Sequence, residues 1–87
     1  MTVSEQKTLV RCAIQRVFRA GVHDDRNDRV RAIREITDGI VAAGIPVFST
    51  SVLYLPDYEG YGPMLYGETL VTLDGEPQHF ELMTRAA

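Results

Sequence analysis

The spacing of apolar residues changes once along this 87-residue chain, and that change constrains the fold more than any other feature. From residue 3 to about residue 42, apolar side chains recur every three or four positions, which is the period of an amphipathic helix. From residue 47 onward they tend to alternate with polar side chains, which is the period of a half-buried strand. Gly44 and Pro46 stand at the transition, where they are typical of a helix end.

Two helices are predicted in the first half. Thr2 and Glu5 match a capping box at the start of the first, which we expect from about residue 3 to 20. The polar residues 22–28 then form a connection rich in N-cap candidates before the second helix. The predicted apolar faces are Leu9, Val10, Ala13, Ile14, Val17 and Phe18 in the first helix, and Val30, Ile33, Ile36, Thr37, Ile40 and Val41 in the second.

Three strands are predicted in the second half, over residues 47–55, about 65–73 and 78 to about 84. The order α-α-β-β-β predicts a two-layer α+β fold, in which an N-terminal helical hairpin packs on one face of a three-stranded antiparallel sheet. We expect residues 1–87 to form a single domain. Val71, Leu73, Phe80 and Leu82 share the strand face that we expect to rest on the helices.

The turn between the last two strands sets their register. A two-residue Asp74-Gly75 turn would place Pro77 inside the strand ladder, and proline cannot donate a ladder hydrogen bond. We therefore expect a four-residue loop, which pairs Leu73 with Gln78.

Charge and cysteine content limit the functional classes. The net charge is −3, with +2 in residues 1–44 and −5 in residues 45–87, which disfavours nucleic-acid binding by the second half. The single cysteine, Cys12, excludes an internal disulfide, and we expect it to be a buried thiol in the first helix. No signal peptide or membrane-spanning run is recognisable, so the predicted location is cytoplasmic, without membrane contact.

Two polar clusters are candidates for reactive sites. His23 and its neighbouring aspartates resemble cation ligands, but helix capping explains the same residues. His79 and Glu81, with Glu68 nearby, suit acid–base chemistry, but a solvated sheet face looks the same in sequence. We therefore expect no catalytic residue, no metal ligand and no cofactor, and keep a small ligand-binding domain or enzyme using His79 and Glu81 as an alternative.

A second alternative is nucleic-acid binding through the arginines of both helices, whose positive charge is diluted by nearby acidic residues. The arginines concerned, together with one lysine, are Lys7, Arg11, Arg16, Arg19, Arg26, Arg29, Arg31 and Arg34.

The segment from Tyr54 to Tyr66 contains all four tyrosines, with acidic residues and no basic one. Tyrosine, glycine and acidic residues together are typical of binding loops, although the loop could instead fold back over a sheet edge. We expect a non-enzymatic interaction protein, an inhibitor or adaptor of a larger assembly, that acts through this acidic loop and through the sheet face opposite the helices. The expected partner is a protein with a basic surface, and a homodimer is an alternative. The predicted partner-binding residues are Tyr54, Asp57, Tyr58, Glu59, Tyr61, Met64 and Tyr66.

Overall fold

The computed structural model describes residues 1–86, and its elements follow the predicted order. The helices are α1 (Val3–Ala20) and α2 (Arg26–Val41). The strands are β1 (Val47–Leu55), β2 (Met64–Leu73) and β3 (Glu76–Arg85), paired antiparallel with β2 in the centre. The predicted α+β fold, with two helices followed by a three-stranded antiparallel sheet, is confirmed.

Side-chain caps fix the starts of both helices. The hydroxyl of Thr2 accepts a hydrogen bond from the amide of Glu5 at 3.1 Å, and the carboxylate of Glu5 accepts one from the amide of Thr2 at 3.0 Å. This is the predicted capping box. Asp25 caps α2 by accepting from the amide of Asn27 at 3.1 Å.

The core lies between the two layers. α1 packs on β2 and β3, whereas α2 packs mainly on β1. The predicted strand face is confirmed, because Val71, Leu73 and Phe80 are buried and Leu82 packs against them. The buried core residues are Val10, Ile14, Val17, Phe18, Val22, Ala32, Ile36, Ile40, Ile45, Val52, Leu65, Val71, Leu73 and Phe80.

The buried face of α2 agrees with the predicted one at Ile33, Ile36 and Ile40 and differs from it at Val30 and Val41. Ala32, Ile36 and Ile40 are fully buried, whereas Val30 and Val41 are exposed. The three buried residues are four positions apart and form one narrow stripe, and at about 100° per residue the two valines lie well round the helix from it. This stripe, with the partly buried Ile33 beside it, is the side of α2 that packs on the core.

The register of β2 and β3 is also not the predicted one. Asp74 and Gly75 alone form the turn, with φ of 52° and 79°, which is typical of a type I′ turn. Thr72 therefore faces Pro77, and the amide of Thr72 donates away from β3, to the carbonyl of Pro46. The predicted four-residue loop was wrong because Pro77 occupies a non-hydrogen-bonded position of an edge strand, where no N–H is required.

An irregularity in β1 exposes one large apolar side chain. Phe48 is an extra residue between Val47 and Ser49, which pair with the consecutive residues Val71 and Leu70 of β2. Such a β-bulge leaves the extra residue outside the regular ladder, and Phe48 is 82% exposed.

A relay of hydroxyl groups joins α2 to the sheet under this bulge. Thr37 donates to Thr50 at 3.0 Å, and the hydroxyls of Thr50 and Thr69 lie 3.2 Å apart. Thr69, which is fully buried, donates in turn to the carbonyl of Ser49 at 3.0 Å. Each buried polar group of the relay is therefore satisfied, as burial in a core requires.

Cys12 is exposed on α1, which contradicts the predicted buried thiol. It lies two residues after the buried Val10, about 200° round the helix, and therefore points away from the sheet.

Across residues 1–86, neither helix combines the length and the apolar character that crossing a bilayer demands.

Candidate functional site: the open sheet face and the β1–β2 loop

One face of the sheet packs on the helices, and among the described residues no helix or strand covers the other. We call this second face the open face. Because directly paired residues of a sheet share a face, the register arranges its side chains in four rows across β1, β2 and β3. From the β1–β2 loop outward, the rows are Leu55–Met64–Arg85, Leu53–Tyr66–Met83, Ser51–Glu68–Glu81 and Ser49–Leu70–His79.

The two rows nearest the loop are mostly apolar, and we call them the apolar end. Leu53 is 51% exposed and Met83 is 39% exposed, and they flank Tyr66, which is partly exposed. Large apolar side chains thus occupy adjacent positions on all three strands. Isolated exposed apolar residues are ordinary, but neighbouring ones on one surface are typical of a contact site.

Residues 56–63 form the β1–β2 loop, which continues from the apolar end because it joins Leu55 to Met64. Its own hydrogen bonds close it. The amide of Tyr58 donates to the carbonyl of Gly62 at 3.1 Å, and the amide of Tyr61 donates to the carbonyl of Tyr58 at 2.8 Å. Tyr58 is partly buried by this turn, whereas Tyr61 is 65% exposed.

The structure brings six of the seven predicted partner-binding residues to this end of the molecule. Tyr54 is separated from them, because it is one residue out of phase with Leu53 and Leu55 and packs against the core on the helix side. The six at one end are Asp57, Tyr58, Glu59 and Tyr61 in the loop, and Met64 and Tyr66 on the open face. Sequence reasoning missed Leu53, since only the register of β1 on β2 shows that it lies beside Tyr66.

The next two rows contain the polar cluster that the sequence suggested. Tyr66 donates a hydrogen bond to Glu68 Oε2 at 2.9 Å. His79 Nε2 lies 3.2 Å from the same oxygen, and His79 Nδ1 lies 3.4 Å from Glu81 Oε1. The four side chains are partly or largely exposed.

Two members of this cluster, Glu68 and Tyr66, have shifted pKa values. The hydrogen bonds from Tyr66 and then from His79 lower the pKa of Glu68 below its usual value. The same carboxylate raises the pKa of Tyr66 to about 12. A general acid or base works best with a pKa near the working pH, and both shifts lead away from neutrality. At pH 7 the pair is therefore a fixed carboxylate with a fixed donor.

The aspartates at the start of α2 and just before it already have partners in the same region. Asp28 accepts from the amide of His23 at 2.6 Å and from Arg31 Nε at 2.7 Å. Asp24 pairs with Arg29 at 2.9 Å. With Asp25 serving as the N-cap of α2, the capping interpretation of this cluster accounts for its contacts.

The basic residues fall into two groups. On α2, Arg29 and Arg31 are in ion pairs, Arg31 also with Glu35 at 2.8 Å, and these neighbours compensate their charge. On α1, Arg16 is exposed, and the Arg11 guanidinium lies over the ring of Phe80 at 5.3 Å from its centroid. Positive charge on α1 and negative charge on the open face are therefore on different layers.

A groove of about 270 Å³ between the helices is lined by Leu9, Cys12, Ala13, Arg16, Val17, Glu35 and Gly39. The exposed thiol of Cys12 lines this groove. We assign no function to this groove.

Comparisons of the chain with protein-family models, with curated proteins and with solved structures found no match. The activity of the protein is therefore inferred from the side chains described above.

Proposed function

We propose that this protein is a non-enzymatic interaction module, an inhibitor or adaptor that binds another protein through the apolar end of the open face and the β1–β2 loop. The observation that carries the proposal is the row Leu53–Tyr66–Met83, which presents apolar side chains on three adjacent strands. A neighbouring protein would remove this row from water, and the hydrophobic effect makes such burial favourable.

The loop adds side chains that suit a protein interface. Tyr61 offers a large, rigid ring with a hydroxyl group, and aromatic residues of this kind are enriched in interfaces. Asp57 and Glu59 lie on either side of Tyr58 in the same loop and are exposed. Their carboxylates give the contact surface negative charge, which favours a partner with a basic surface.

Charge also weighs against a symmetric dimer through this surface. A two-fold dimer would bring the same patch of both copies together. The acidic loop residues Asp57 and Glu59 and the open-face pair Glu68 and Glu81 would then lie against or near their own copies. Like charges that face each other across an interface oppose association. A basic partner therefore fits the surface better than a second copy does.

Nucleic-acid binding through the helix arginines is the weaker proposal, although Arg11, Arg16 and Arg19 are exposed on α1. Arg29 and Arg31 would have to exchange their carboxylate partners for phosphates.

We propose that the protein is located in a reducing compartment such as the cytoplasm. Its support is Cys12, an exposed single thiol, since free thiols of this kind persist where disulfides are kept reduced.

The experiment compares the wild type with two matched double variants. Leu53→Asn with Met83→Gln removes two exposed apolar side chains from the open face, and Val30→Asn with Val41→Gln removes two from α2. Each protein is immobilised, exposed to lysate of the source cells, and the retained proteins are identified by mass spectrometry. The affinity of the retained partner is then measured by calorimetry with purified proteins.

We expect a partner that the wild type and the α2 variant retain and that the open-face variant binds at least about tenfold more weakly. Its retention should weaken with salt, because the surface is acidic. Equal retention by all three proteins would contradict the proposed surface. Light scattering of the wild type alone identifies a second copy as the partner if the mass doubles, which would contradict the proposed basic partner.

A further inference from the structure

Glu68, His79 and Glu81 bring three metal-ligating groups together on the open face. Glu68 of β2 lies directly opposite Glu81 of β3, and His79 precedes Glu81 by two residues on the same side of that strand. One nitrogen of the imidazole and one oxygen of each carboxylate all lie within 4.8 Å of one another. Three different side chains on two paired strands therefore converge on one point.

The cluster carries two negative charges when the imidazole of His79 is neutral, which is the form that binds a metal ion. Like charges directly opposite each other in an antiparallel pair are destabilising, and Glu68 faces Glu81 in this way. Each carboxylate also faces a different ring nitrogen of His79, at 3.2 Å and 3.4 Å. A neutral imidazole has one N–H, so it can donate to only one of the two. A bound cation would satisfy both carboxylates.

We propose that Glu68, His79 and Glu81 bind one divalent transition-metal ion of the zinc class per chain. The imidazole decides the class of ion, since Mg²⁺ and Ca²⁺ prefer oxygen ligands alone, whereas zinc and its neighbours bind imidazole readily. From the sequence alone we expected no metal ligand, and the register that we expected, with Leu73 opposite Gln78, places Glu68 opposite Met83 and not opposite Glu81.

The ligand distances are compatible with such an ion. Nitrogen and oxygen ligands at about 2.0–2.1 Å from a tetrahedral zinc ion lie about 3.3 Å from each other. The present spacing of up to 4.8 Å has to contract by up to about 1.5 Å. Both glutamates are 40% exposed or more, so their side chains have room for the rotation that this requires.

Tyr66 supports the site without being a ligand in this arrangement. Its hydroxyl donates to Glu68 Oε2 at 2.9 Å and orients that carboxylate towards His79. Hydrogen bonds of this kind hold metal ligands in position and affect metal affinity. Three protein ligands leave a fourth position open on a zinc ion, and the open face leaves it accessible. The site does not depend on the protein contact proposed above.

The test is a calorimetric titration of untagged, metal-free protein with zinc chloride. We expect one zinc ion per chain, and no saturable binding in a parallel titration with magnesium chloride. His79→Asn or Glu68→Gln should weaken zinc binding at least about tenfold, and Tyr66→Phe should weaken it by up to about tenfold with the stoichiometry unchanged.

The control is His23→Asn, which removes the other of the two histidines. Like His79, His23 is exposed and lies close to a carboxylate. It should bind zinc as the wild type does, because the aspartates around His23 already accept from amides and arginines. Circular dichroism confirms that each variant is folded. Absence of saturable zinc binding by the wild type, or equal weakening by His23→Asn and His79→Asn, would overturn the proposal.

Discussion

Gly67 lies in the centre of the sheet, where the ring of Phe18 rests on it. A β-carbon at this position would lie 2.6 Å from Phe18 Cζ and 3.2 Å from Ile14 Cγ2. Contacts this short require the ring of Phe18, α1 or the strand to move. The close approach of α1 to β2 therefore depends on the absence of a side chain at one residue.

We expect Gly67→Ala to lower the free energy of unfolding by about 1–3 kcal/mol, because it overpacks the contact with Phe18. Gly39→Ala is the matched control. Its β-carbon would meet only Ala13 Cβ, at an ordinary 3.9 Å, within α2, and alanine favours a helix over glycine by about 0.5–1 kcal/mol. Urea unfolding should therefore shift in opposite directions for the two variants. Stabilisation by both would contradict the close packing.

Asp28 is a second single residue with a predictable effect, because its contribution to the free energy of unfolding depends on pH. Its hydrogen bonds from Arg31 and from the amide of His23 lower its pKa from 3.8 to about 2. A carboxyl group whose pKa is lower in the folded state stabilises the fold above its unfolded pKa, and this stabilisation is lost as the pH falls through the folded pKa. The contribution should therefore disappear between about pH 4 and about pH 2.

We expect Asp28→Asn to be less stable than the wild type at pH 7 and to approach it in stability as the pH falls to about 2. The measurement is the urea midpoint of both proteins at several pH values. Asp38→Asn, on the exposed side of the same helix, controls for the general effect of removing one negative charge. A difference between wild type and Asp28→Asn that stays constant with pH would contradict the assignment.

At the scale of elements, the sequence predicts the features that depend on adjacent residues, such as where a helix begins. It does not predict the features that depend on pairing between distant residues, such as strand register. The bounds of α1 and β1 match the prediction because caps, proline and glycine act on adjacent residues. The register of β2 and β3 was wrong because the rule against proline in a ladder depends on the position of the strand in the sheet. The sequence does not show that Pro77 belongs to an edge strand.

The candidate site was also predicted only in part, for the same reason. Its loop was recognisable because tyrosine, glycine and acidic residues are concentrated in one continuous segment. Its open face was only partly recognisable, since Leu53 and Met83 flank Tyr66 through pairings that join distant parts of the chain. Tyr54 was assigned to the same surface because composition does not show the alternation of faces along β1.

We expect Gly75→Ala to lower the free energy of unfolding by about 1 kcal/mol, since a type I′ turn requires positive φ at both central residues and alanine resists it. The direct check of the register is a contact between the α-protons of Thr72 and Pro77 in NMR spectra, as expected for a non-hydrogen-bonded pair. Contacts between Leu73 and Gln78 instead would restore the four-residue loop.

At the scale of the whole molecule, two layers give two different outer surfaces. The helix layer has Arg11, Arg16 and Arg19 exposed on α1. The sheet layer presents the apolar end, with Glu68 and Glu81 in the next row. Residues 1–86 form these two layers, and within them the side chains of the open face are partly or largely exposed.

The separation of charge between the layers gives the protein an electric dipole across its thickness, and this determines how it adsorbs to a charged solid. On a support with sulfonate groups, α1 would be held and the open face would remain in solution. On a support with quaternary amines, which the net charge of −3 alone would suggest for capture, the acidic side would be held. The surface that we expect to bind a partner would then be the one hidden from it.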